Sequence, residues 1–174
     1  MYFLKATTFF VLLVMCSPLS ANDDGNRSTE HEVSKFMNNY LGVYNRRFGH
    51  PDRSQQFRNE LGKLVVMPFL MAPPMGKPQV PESLDVFTAN FESFVTMLEG
   101  KQVVRLEWAQ EEYKVLTPNK VLANNIGQGL TEDGEVAYET VSLYLLYREQ
   151  DGWRIAMFSP YLVENTLSLV SKQQ

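Results

Sequence analysis

From position 30 the apolar residues Val33, Phe36, Met37, Tyr40, Leu41, Tyr44 and Phe48 are spaced by three and four places, which predicts an amphipathic helix with one buried stripe. Ser28 or Thr29 stands where a capping hydroxyl belongs. Gly49-His50-Pro51-Asp52 interrupts the pattern, and Arg53 to Leu61 predicts a second, shorter helix closed by Gly62. Leu64-Val65-Val66-Met67 is apolar and partly β-branched, as a buried strand is, and Pro68 is expected to limit its pairing. Pro73, Pro74, Pro78 and Pro81 then make a stiff loop. Pro81 is placed to open a third helix with Leu84, Phe87, Phe91, Phe94, Val95 and Leu98 on one face. Glu82 and Asp85 lie at its positive end, and Gly100 closes it.

After Gly100 the period changes to two. Val103 to Trp108 alternates, Tyr113 to Leu116 is short, and Glu107, Glu111 and Glu112 between them predict a solvated bend. Thr117-Pro118-Asn119 turns the chain into a long strand from Lys120 to Leu130. Asp133-Gly134 leads into the longest strand, Glu135 to Arg148, and Asp151-Gly152 into the last, Trp153 to Ser159. The predicted order is helix, helix, strand, helix and then a twisted antiparallel meander. That is an α+β domain whose helices must cover one face of the sheet.

The first residues follow another logic. Lys5 precedes an unbroken apolar run from Phe9 to Cys16, followed by Pro18 and then Leu19-Ser20-Ala21, which together predict a secretory signal peptide cleaved after Ala21. The run is shorter than the roughly 20 apolar residues a spanning helix needs, so the mature chain is expected to have no transmembrane segment. The expected organisation is a signal peptide over 1–21, a disordered leader over 22–29, one domain over 30–165 and a C-terminal tail over 166–174. The expected location is periplasmic or secreted. A lipoprotein anchored at Cys16 is the alternative, and Met15 counts against it by standing where a small residue is usual. Cys16 is the only cysteine, so cleavage leaves no disulfide, no thiol nucleophile and no Cys-containing zinc site.

The 174 residues are 44% hydrophobic and 21% charged, enough for one domain with its own core. Lys and Arg number 16 against 20 Asp and Glu, and the longest basic run is Arg46-Arg47, which removes nucleic acid from the candidate partners. His31 and His50 are the only histidines and lie far apart in sequence, so neither a metal site nor a cofactor is expected. His50 with Asp52 is the weak candidate for an acid–base pair, and a surface turn explains the two equally well. Gly127-Gln128-Gly129 lacks the strand-to-helix setting of a phosphate loop and reads as a bulge, while Ser142 has no histidine placed for a hydrolase triad.

The order of elements, the helical Tyr40-Leu41-Gly42-Val43-Tyr44-Asn45, the Pro-rich loop before a helix ending in Gly100, and the closing Arg148 … Asp151-Gly152-Trp153-Arg154-Ile155 resemble the nuclear transport factor 2-like (SnoaL-like) superfamily. The resemblance spans about residues 30–160. It implies a cone-shaped, cystatin-like roll, with N-terminal helices packed on a curved, mainly antiparallel sheet and a pocket at the open end. A homodimer through the outer sheet face is common in that superfamily.

A shared fold does not fix an activity. The steroid-isomerase pattern of the superfamily places its tyrosine on Tyr40, but its base falls near Met67 and its second oxyanion acid near Ser142 or Tyr144. Neither acid is present, so that chemistry is not expected. Tyr40, Trp108 and Tyr144, with Asn124 as a polar contact, are the expected ligand-binding residues. Whether the cone is open turns on how Met67, Met71, Met75 and Met97 pack. The expected function is an exported, non-catalytic domain that binds a small apolar or aromatic ligand, or a protein partner, at the cone mouth. One alternative is a SnoaL-like lyase or isomerase acting on a cyclic, polyketide-like substrate, with Tyr40 polarising a carbonyl and His50 or Asp52 moving the proton. Another is an interaction module that uses the outer sheet face.

Overall fold

The structure, a computed structural model, describes residues 23–165 and 167–169. The signal peptide expected over 1–21, with Cys16, lies outside the described residues, as do positions 166 and 170–174 of the expected tail.

Helix α1 (Asp23–Asn45) begins inside the stretch expected to be a disordered leader. Ser28 and Thr29 are therefore interior helical residues rather than caps, and the Thr29 hydroxyl donates back to the Gly25 carbonyl at 3.0 Å. Acidic residues at the start of this stretch favour the positive end of a helix. The stripe read from the sequence is buried at Val33, Met37, Tyr40, Leu41 and Tyr44. The helix stops at Asn45, whose side chain pairs with a strand: the Leu106 amide donates to Asn45 Oδ1 at 2.7 Å, and Asn45 Nδ2 donates to the Leu106 carbonyl at 2.9 Å. Phe48 is buried in the turn that follows.

A 3-10 turn (Pro51–Arg53) leads into α2 (Ser54–Gly62). Strand β1 (Val65–Met71) runs on through Pro68, the residue expected to limit its pairing. It can do so because it is an edge strand whose register shifts between Val65 and Leu70, and a missing N–H is tolerated at such a place. The Pro-rich loop then folds back so that Met71 and Gln79 exchange backbone hydrogen bonds of 2.9 and 2.7 Å. Helix α3 (Leu84–Gly100) is capped by Ser83, whose hydroxyl accepts from the Val86 amide at 3.2 Å, and not opened by Pro81.

Strands β2 (Arg105–Thr117), β3 (Lys120–Leu130), β4 (Val136–Glu149) and β5 (Gly152–Tyr161) form the meander. The sheet order is β1-β5-β4-β3-β2, with β1 parallel to β5 and every other pair antiparallel. The acidic run is not a bend: β2 is continuous through Glu107, Glu111 and Glu112. Its pairing slips instead. Trp108 faces Gly127, but Gln110 faces Ile126 and Glu111 faces Asn125, so one residue is inserted and the inward-facing parity changes from even to odd.

The helices pack on one face of the curved sheet and enclose a core that runs from Val33 and Met37 of α1 through Phe87 and Val95 of α3 to Leu146 and Ile155 of the sheet. Both residues of the longest basic run are committed to ion pairs. Arg46 binds Glu60, while the buried Arg47 joins the turn after α1 to α3 through Glu92 and Glu99 at 2.5 and 3.2 Å.

Candidate functional site

The inner face of β3 carries small residues. At Gly127 a Cβ would lie 3.2 Å from the Trp108 ring, and at Gly129 it would lie 3.0 Å from Val103 and 3.1 Å from Tyr138. Where β3 presents no side chain, the rings of the neighbouring strands lean over it and leave a partly enclosed cavity of about 220 Å³ against α1 and α3. Its walls are Tyr40 and Tyr44 from α1, Phe91 and Phe94 from α3, Trp108 from β2, and Tyr144 and Phe158 from β4 and β5. Tyr144 is central: its ring lies 6.1 Å from Tyr40, 6.1 Å from Trp108 and 5.3 Å from Phe158. Asn90 and Thr140 are the other polar side chains in a lining that is otherwise apolar.

No Asp, Glu, His, Lys, Arg or Cys lines this cavity among the described residues. Tyr40 and Tyr44 share a hydrogen bond of 3.0 Å between their hydroxyls. Burial pushes the hydroxyls of Tyr40, Tyr44 and Tyr144 well above their ordinary range, and the neighbouring tyrosines add to the rise at Tyr40 and Tyr144. These groups can donate or accept a hydrogen bond, but they do not supply a base near neutral pH. The arrangement suits a small, largely apolar ring held by aromatic walls, with phenolic hydroxyls available for one polar atom.

A second polar cluster lies on the inner face below Trp108. Tyr113 donates a short 2.5 Å hydrogen bond to Glu111 Oε1, and Ser34 of α1 stands 3.5 Å from the same oxygen. Burial raises the Tyr113 hydroxyl, and its bond to Glu111 raises it further, while Ser34 and Asn125 ease the rise. Asn125, paired across the strands with Glu111 and with Ser142, is fully buried.

Of the residues expected to bind ligand, the structure brings Tyr40, Trp108 and Tyr144 to one cavity and sends Asn124 elsewhere. Asn124 points to the outer sheet face, where its Nδ2 donates to the Leu167 carbonyl at 2.7 Å and its Oδ1 accepts from the Tyr161 hydroxyl at 2.5 Å. Its neighbour Asn125 is the one that faces inward. His50 and Asp52 are exposed in the turn after α1, and neither lines the cavity. Met71 lines it, Met67 packs against the core, and Met75 and Met97 are exposed, so those last three do not fill it. Phe91, Phe94 and Phe158 are legible in the sequence only as core-forming aromatics, since periodicity marks an inward side chain without showing whether it meets a neighbour or a void. Among the described residues no group of three or more His, Cys, Asp or Glu is placed to hold a metal ion, and no helix is long and apolar enough to cross a membrane.

A family model described as an NTF2-like protein (DUF6841) matches residues 30–162. No curated protein matches the chain in sequence. Among solved structures, an NTF2-like protein with a cystatin-like fold from Novosphingobium aromaticivorans is similar with a TM-score of 0.58 at 10% identity, covering 80% of this chain and 85% of that one. Aln2 from a Streptomyces species gives a TM-score of 0.59 at 10% identity, with 79% and 92% covered. A protein from Catenulispora acidiphila in complex with S-DNPA gives 0.53 at 13% identity, with 77% and 94% covered. At these identities the likeness is one of fold: the cystatin-like roll that the family resemblance implied.

Proposed function

The chain belongs to the NTF2-like family described as DUF6841, and from that premise we propose that it is an exported, non-catalytic member that binds one small apolar or aromatic molecule in the cavity of its roll. One observation carries the reading: a cavity of about 220 Å³ walled by aromatic rings, with no acid, base or thiol in its lining among the described residues. A dry apolar cavity of about 150 Å³ holds benzene, so this one suits a compound of one or two rings and is small for a tetracyclic one. A fold relative solved in complex with S-DNPA is in keeping with this use of the architecture.

The lyase alternative needs a proton-transferring group at the substrate. His50 and Asp52, its candidates, stand exposed outside the lining. Export rests on the apolar run before Ala21, and a homodimer through the outer sheet face would bury the half-exposed Leu122, Leu143, Leu145 and Met157.

The test is a ring-size series of ethylbenzene, naphthalene and a steroid, read by the shift in melting temperature of the purified protein. One- and two-ring compounds are expected to raise it and the steroid to leave it unchanged. No shift with any of them, or a shift with the steroid alone, overturns the reading.

A further inference from the structure

We propose that the cavity has a concealed polar floor, Asn125, which recognises a neutral amide or lactam group on the bound ring compound, and that Trp108 is the door between the two. This rests on the reading that the cavity binds a small ring compound.

Asn125 is completely buried, and neither atom of its amide makes a hydrogen bond of ordinary geometry among the described residues. Its position adjoins the cavity. On the inner face of β3 it lies between Gly127, which lines the cavity and pairs with Thr140, and Ala123, which pairs with the cavity residue Tyr144. Trp108 on β2 and Tyr144 on β4 touch across this part of β3, so their rings roof it. The Tyr113 hydroxyl beside it spends its proton on Glu111 and offers Asn125 at most an acceptor, which leaves the Asn125 carbonyl oxygen without a donor.

The roof is held by packing with little polar anchoring. Trp108 rests on the bare backbone of Gly127, and among the described residues its indole N–H makes only a long 3.4 Å bond to the Met37 carbonyl. Rotation of the indole off Gly127 would join the floor to the cavity. Asn125 offers two donors and an acceptor, and a primary amide or lactam answers both kinds in one plane, whereas a ketone or an ether answers only one. An ionised head group would have to shed its water in an apolar site, and a carboxylate would also stand near Glu111.

The experiment titrates the purified full chain with benzamide, acetophenone and ethylbenzene, which share one ring and differ in what they offer Asn125. Benzamide is expected to bind at least about tenfold more tightly than acetophenone. Asn125→Leu is expected to erase that preference, bringing benzamide to within about twofold of acetophenone. Asn125→Val is the second variant should the first not fold. The Trp108 indole N–H resonance, assigned by comparison with Trp153→Phe, is expected to move on saturation with benzamide. Ethylbenzene binding without a benzamide preference, or a preference that survives at Asn125→Leu, overturns the polar floor and leaves the cavity reading standing. An indole resonance that does not move overturns the door. Failure of all three probes to bind removes the cavity reading, and the inference with it.

Discussion

Trp108 and Tyr144 meet edge to face across β3, with ring centroids 6.1 Å apart and planes inclined by 79°. Two side chains from strands that are not neighbours can meet in this way only because the strand between them presents Gly127 beneath the indole. A side chain at 127 would push Trp108 toward the cavity. Gly127→Val is therefore expected to cost about 1–3 kcal/mol of stability by overpacking. It is also expected to weaken binding of a one-ring probe at least about tenfold. Urea unfolding and calorimetric titration of the same variant measure both; an unchanged affinity would show that Trp108 does not border the binding space.

The hydroxyls of Tyr40 and Tyr44 satisfy one another at 3.0 Å in a buried setting. Removing either hydroxyl takes a buried hydrogen-bond partner from the other, so Tyr40→Phe and Tyr44→Phe are each expected to cost about 1 kcal/mol. The double variant is expected to cost clearly less than the sum, and a double-mutant cycle in urea measures the coupling. Additive costs would mean that each hydroxyl answers to a different partner.

Alkaline pH probes the same buried ring cluster. Tyr40, Tyr44 and Tyr144 are raised in the folded chain above the ordinary value near 10, chiefly by burial. Below pH 10 both states keep these groups neutral, and stability has its full value. Above it the unfolded chain ionises while the folded chain holds its protons, so stability falls by up to about 1.4 kcal/mol per pH unit for each tyrosine. The absorbance of tyrosinate is expected to rise in two phases, the second coinciding with loss of the fold. A single phase near pH 10 with the fold intact would contradict the burial of all three.

Asn124 and Asn125 are adjacent and both buried, yet their roles separate. Asn124 holds the C-terminal residues against the outer face through Leu167 and Tyr161, and the Leu169 amide adds a bond to Glu112 at 2.9 Å. Asn124→Ala is expected to speed hydrogen exchange at the Leu167 and Leu169 amides while leaving probe binding within about twofold of wild type. A loss of binding at Asn124→Ala with slow exchange retained would reverse the assignment of the two residues.

Those two asparagines also show where reading the chain reaches its limit. Helix periodicity over Val33 to Tyr44 and the Asp-Gly turns define the architecture, because each is a local signal repeated at a fixed spacing. Tyr40, Trp108 and Tyr144 reach the cavity as amphipathic rings on inward faces. The choice between Asn124 and Asn125 depends on strand register, and a one-residue difference exchanges the faces. The same holds for Glu111, which turns inward because of the residue inserted after Trp108 in β2. An insertion of this kind is fixed by pairing with β3, and nothing in the alternation of β2 itself announces it. The early start of α1 is hidden for a different reason: residues 23–29 carry no apolar stripe, and periodicity detects only helices that bury one.

A small ring compound held in the cavity would show as added mass when the protein, purified from its own source, is measured by native mass spectrometry. One small molecule per chain is expected, released on denaturation and absent from Trp108→Ala purified in parallel. A wild-type protein that carries no added mass and also takes up neither ethylbenzene nor naphthalene would contradict it.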